Sequence, residues 1–228
     1  MSSSTDLASI VGLSLAVATL AMAIAFPLAF AAAWVLARTR LPGRGLLQAL
    51  VTMPLVLPPV VTGYFLLLAF GTRGPLGGWL KDWFGIEIAF RWTGAAVAAA
   101  VMALPLLVRP IRQALESMDR GLEEAACTLG ASPLRVFLTV TVPLVAPGMV
   151  SGLLLGFAKA LGEFGATITF VSNIPGETQT LSLAIYSLLQ TPSGDAAALS
   201  LIAISVVLAV GATLASEWLG RRWMAAEG

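Results

Sequence analysis

Lys159 and Glu163 stand four residues apart in a stretch otherwise free of charge, and the hydroxyls of Thr167, Thr169 and Ser172 follow closely. Ionisable groups in so apolar a stretch mark either a polar path through the protein, lined by weak hydroxyl donors, or a pair that neutralises itself. An amine and an acid at i, i+4 can neutralise each other on one helix face, and the pair reading takes precedence. Gly148, Gly152 and Gly156 precede them at intervals of four, a spacing that lets another helix approach closely. At about 100° per residue the glycines and the two charges fall within roughly 80° of arc, so the charges are expected to face protein or pore rather than lipid. No histidine occurs and Cys127 is the single cysteine, so neither a metal centre, a histidine proton relay, an internal disulfide nor a set of catalytic residues is expected.

The elements that position these residues are read from hydropathy. Of 228 residues 58% are hydrophobic and only 11% charged, with a mean hydropathy of +0.91. A soluble domain carries about a quarter charged residues, so lipid must cover much of this surface. A net charge of +1 gives no electrostatic footprint for nucleic acid. Residues 7–37, 46–70, 92–108 and 196–216 lack charge entirely, and 136–158 continues past Lys159 and Glu163 to 174. Each supplies the roughly 20 apolar residues that cross about 30 Å of hydrocarbon, and in lipid such runs must be helical. The expected fold is therefore an all-α integral membrane protein, a bundle of about five transmembrane helices forming one domain over 1–228. Pro27 is expected to kink the first span, and Pro54, Pro58 and Pro59 interrupt the hydrogen-bond ladder of the second. Those prolines can form a gate or can be kinks supported by neighbouring helices.

Nine arginines (Arg38, Arg40, Arg44, Arg109, Arg112, Arg120, Arg135, Arg221 and Arg222) fall on one side of this arrangement. Only Arg73, Lys81 and Arg91 fall on the other. The positive-inside bias puts the N-terminus outside and the C-terminus in the cytoplasm. The outer side then holds 71–91, with interfacial Trp79, Trp83 and Trp92. It also holds 173–195, whose apolar centre 181–189 is too short to cross and reads as an interfacial or re-entrant helix.

The cytoplasmic segment 109–143 is not composed like a tether. Arg112, Glu116 and Arg120 at i, i+4, i+8 predict a helix face of alternating charge. Gly130 fits the position just past a helix end, Ser132 an N-cap and Pro133 a first helical residue. Helix, sharp turn and helix make a rigid protrusion, which on this pattern alone is a solvated connector. Its motif adds more. Glu124-Ala125-Ala126, then Gly130, then Val140 and Val142-Pro143 resemble the EAA loop of binding-protein-dependent ABC importers, with valines where that family usually has Ile and Leu. Residues 53–60 (MPLVLPPV), 161–178 and 184–192 further resemble the molybdate permease subunits of this family; 161–166 is shared with sulfate/thiosulfate permeases.

The resemblance implies a MetI-like ABC permease fold whose loop is a coupling helix docked on a cytoplasmic ATPase through Glu124, Ala125, Ala126 and Gly130. It implies a homodimer of permease chains in the bacterial inner membrane, two ATPase subunits that bind ATP and Mg, and an extracytoplasmic binding protein for molybdate. The chain itself contains no GxxxxGK[ST] phosphate loop and is not expected to be an enzyme by itself. Pro58, Pro59, Lys159, Glu163, Thr167, Thr169 and Ser172 are the expected translocation path or gate. Sulfate, thiosulfate or tungstate are alternative cargoes. An ion-coupled secondary transporter is the alternative of another class, although no inverted repeat is apparent.

Overall fold

The computed structural model describes residues 3–39, 42–192 and 194–226, with side chains from residue 7 onward and only part of those beyond 211. Arg40 and the side chains of Arg221 and Arg222 lie outside the described residues. Within them the secondary structure is helical throughout. In chain order these are α1 (Ser3–Arg38), α2 (Arg44–Val56), α3 (Pro59–Phe70), α4 (Pro75–Phe84), α5 (Trp92–Ser117), α6 (Arg120–Thr128) and α7 (Pro133–Val136). A π-helical turn, Phe137–Thr141, leads into α8 (Val142–Leu161), followed by α9 (Gly165–Val171), α10 (Leu181–Leu189) and α11 (Asp195–Ala226). Four stretches are long and apolar enough to cross a membrane: Leu7–Arg38, Trp92–Ser117, Pro133–Leu161 and Asp195–Ala215. Counting the bent pair α2–α3 as one broken span gives five.

α5 is the centre of the bundle. Its alanines 95, 96, 98, 99, 100 and 103 are buried, and they meet a matching stripe of α1: Ala18, Ala21, Ala25, Ala29 and Ala33. Small side chains allow the two backbones to approach closely, which is how helices gain dispersion energy where lipid removes the hydrophobic drive. Pro27 lies inside α1 without ending it. On the other flank α8 runs antiparallel to α5 through the glycine stripe. A Cβ at Gly148 would meet the Pro110 carbonyl at 2.7 Å, and one at Gly156 would meet Leu107 at 2.9 Å. α11 packs on α8 and turns Val206, Val207, Val210 and Leu214 outward. α10 is the short helix expected at 181–189. Its first backbone N–H, at Leu181, donates to Ser14 Oγ of α1 at 2.8 Å.

Three boundaries depart from the sequence expectation. The third span does not stop at Val108 but continues through Arg109 and Pro110 to Ser117, so two turns of the expected loop belong to α5. The fourth ends at Leu161, because Gly162 caps it and Glu163 starts a separate helix by accepting the Ala166 N–H at 3.0 Å. The second is broken outright: the chain bends by 115° between α2 and α3. The cause is local. Leu57 and Pro58 each precede a proline, a position that excludes the α region, and they take ψ of 143° and 132°.

Candidate coupling loop and translocation path

Asp119 opens α6 by accepting the Gly121 N–H at 2.8 Å. The helix therefore restarts at Arg120, which corrects the single charged face expected across Arg112, Glu116 and Arg120: only the first two share a helix, paired at 2.8 Å. α6 ends as its composition predicts. Gly130 has φ +86°, its N–H donates to Cys127 and the Ala131 N–H donates to Ala126, the double bond of a Schellman turn. Ser132 Oγ accepts the Arg135 N–H and Pro133 begins α7. Glu124, Ala125 and Gly130 are exposed, Ala126 partly so, and Leu129 and Leu134 project beside them. An apolar, rigid face with one carboxylate is suited to a protein groove.

The neighbouring Glu123 faces inward. Its two carboxylate oxygens accept from Arg38 at 2.9 and 3.1 Å, and Thr141 Oγ1 donates to it at 2.6 Å. Arg38 is 9% exposed and lies 5.5 Å over the Trp34 ring, which packs with Phe30 and Phe137. One bidentate pair thus fixes α6 to the end of α1 and to the π-turn before α8, a distortion that recurs at functional sites. Nothing in the sequence signals the pair, because its members are 85 residues apart.

At the α8–α9 junction Lys159 Nζ meets Glu163 Oε2 at 2.7 Å, so the neutralising reading of this pair is the observed one. Glu163 is buried and its other oxygen caps α9. A Cβ on Gly165 would contact Pro59 at 2.7 Å, and one on Gly63 would contact Ala166 and Thr169, so α9 lies directly against α3. Pro59, Glu163 and Thr169 are accordingly gathered at one junction beside the break at Pro58. Thr167 is buried away from solvent, and Ser172 is exposed with φ +64° at the end of α9. From there Thr178 ties the loop by accepting from the Ile174 N–H at 2.9 Å and donating to the Ser172 carbonyl at 3.2 Å. At the same end Lys81 donates to Glu87 at 2.8 Å; this hydrogen bond raises the lysine and lowers the carboxyl from their usual ranges. Trp79 and Trp83 stand exposed beside them on α4. Among the described residues no cluster of His, Cys, Asp or Glu could hold a metal ion.

Residues 25–225 match the model of a family described as the binding-protein-dependent transport system inner membrane component. The chain belongs to this family. It is 56% identical over 209 residues to the molybdenum transport system permease protein ModB of Escherichia coli K12, covering 92% of this chain and 91% of that one. It is 39% identical over 193 residues to the sulfate transport system permease protein CysT of the same organism, covering 83% and 69%. Among solved structures, a bacterial alginate ABC transporter in complex with an alginate-pentasaccharide-bound periplasmic protein superposes with a TM-score of 0.71. At 19% identity, over 94% of this chain and 78% of that one, it shows a shared fold. The chain is thus a multi-pass membrane subunit of a transport system and no enzyme by itself.

Proposed function

We propose that this permease moves molybdate into the cytoplasm in an ATP-driven importer. The observation that carries the reading is near full-length identity to ModB, 56%, against 39% over a shorter span for the sulfate permease. The partners proposed are a second copy of the chain, two ATPase subunits holding ATP and Mg, and an extracytoplasmic binding protein. One chain of five spans encloses little room for a pore. The outward apolar residues of α2–α3, including Val56, Val60, Tyr64 and Leu68, offer a surface for the second copy. The arginine asymmetry supports an N-terminus outside and a cytoplasmic C-terminus. The Schellman turn at Gly130 and the exposed Glu124 and Ala125, with Ala126 half-buried beside them, support α6 as the coupling helix. ATP-driven closure of the ATPases would draw two such helices together and open the path outward. Pro58, Pro59, Lys159, Glu163, Thr167, Thr169 and Ser172 are proposed for the translocation path or gate, with Lys159 and Glu163 held as an ion pair. The test is uptake in proteoliposomes holding permease, ATPase and loaded binding protein. Labelled molybdate should accumulate only with ATP and resist competition by sulfate. Preferential sulfate uptake, or uptake driven by an ion gradient without ATP, would contradict the proposal.

A further inference from the structure

Between α2 and α5, at the arginine-rich end of the bundle, lies a cavity of about 550 Å³ in which neither the coupling loop nor the α8–α9 junction takes part. Val51, Leu55 and Val108 form apolar wall, and Gln48, Arg109, Arg112 and Glu116 supply the polar atoms. Glu116 accepts from Arg112 Nε at 2.8 Å and from Arg44 at 3.3 Å, while Arg112 also donates to Gln48 Oε1 at 2.5 Å. Arg109 has no hydrogen-bond or ion-pair partner among the described residues. Two guanidinium groups, Arg112 and Arg44 (the latter just outside the lining), therefore share one carboxylate, while Arg109 stands exposed without a partner, so this cluster of three arginines and Glu116 carries two positive charges in excess.

We propose that this cavity is a holding site for a tetrahedral dianion of the molybdate class, an inference that rests on the substrate reading above. Two uncompensated positive charges match the two negative charges of the ligand. Arg109 is the principal ligand, because its donors are free; guanidinium donors match oxyanion geometry well. Glu116 competes with the ligand for Arg112 and Arg44. That competition keeps the site weak, as a site on a transport path must be if cargo is to leave it.

The two residues should act in opposite directions, which a folding defect does not mimic. The experiment is equilibrium dialysis of radiolabelled molybdate against the nucleotide-free complex of permease and ATPase in nanodiscs, without binding protein. Wild type should bind saturably. Arg109→Gln should weaken binding by about tenfold or more, the worth of a charged hydrogen-bonded contact, and Glu116→Gln should tighten it by a similar factor. Arg109→Lys, which keeps the charge, should lose less than Arg109→Gln. Absence of saturable binding in wild type, wild-type affinity in both neutral variants, equal loss in the two Arg109 variants, or weaker binding in Glu116→Gln would each overturn the proposal. Molybdate uptake by wild-type vesicles with any of those results sinks the cavity alone. Vesicles that import sulfate instead sink the molybdate reading, and the same dialysis with labelled sulfate then decides the cavity.

Discussion

Two adjacent carboxylates in α6 have different surroundings. Glu124 is exposed, whereas Glu123 is locked between Arg38 and Thr141. In the proposed coupling role, a load on α6 would pass through that lock into α1 and α8. Glu123→Ala leaves Arg38 largely buried without its partner, a loss of about 1–3 kcal/mol for a charged hydrogen-bonded group. The expected outcome is a lower melting temperature of the purified complex and fewer molybdate ions moved per ATP. Exchanging the pair (Arg38→Glu with Glu123→Arg) should recover more than either single reversal; equal damage in all three variants would mean the contact is incidental. Gly130→Val should cost roughly 1–2 kcal/mol through its left-handed backbone alone, since no atom lies within 4 Å of an added Cβ. Its expected signature is poorer recovery of bound ATPase with normal membrane insertion. Local rules made Gly130, Ser132, Pro133 and Lys159–Glu163 readable in the sequence, because caps and i, i+4 pairs need no knowledge of the fold. Arg38–Glu123 was hidden because it is a tertiary contact, and the convergence of Arg44, Arg109 and Arg112 was hidden for the same reason.

At the scale of helices, hydropathy located the four long apolar helices and the stretch that holds the bent α2–α3 pair, and the glycine spacing identified the face of α8 that meets α5. A side chain at Gly148 would displace the Pro110 carbonyl or Ala114, both within 2.7 Å of an added Cβ. Gly148→Val is therefore expected to destabilise the complex by about 1–3 kcal/mol, the usual cost of overpacking, measured as a drop in its melting temperature in detergent. Gly211→Val, where nothing lies within 4 Å of an added Cβ, is the control and should change little. Boundaries were less legible than spans. Apolarity continues across Leu57–Pro58, and beyond Glu163 it resumes to 174, so hydropathy cannot mark the breaks. The backbone preferences of paired prolines and the capping carboxylate of Glu163 decide them.

For the whole molecule, orientation and coupling stand or fall together. In a Cys127→Ser background, a cysteine replacing Asp82 on α4 should react with an impermeant reagent from outside, and one replacing Ser117 only from the cytoplasm. Gly77 is unsuitable for labelling because an added Cβ would run into the Gly71 and Phe70 carbonyls. The reverse labelling pattern would turn the coupling loop away from any ATPase. The fold was legible in the sequence because lipid imposes length rules on every span, and the arginine asymmetry predicts the orientation that this labelling tests; the cargo class was legible only through family resemblance, not through the chemistry of individual pore residues. The most direct test of the account is the ratio of molybdate accumulated to ATP hydrolysed in proteoliposomes supplied with loaded binding protein, for wild type and Glu124→Lys. Wild type should couple turnover to accumulation. Glu124→Lys, which reverses one exposed charge and touches no span, should insert normally but lose ATPase recovery or the stimulated, coupled turnover. A Glu124→Lys permease with wild-type recovery, turnover and accumulation would contradict the account at its centre.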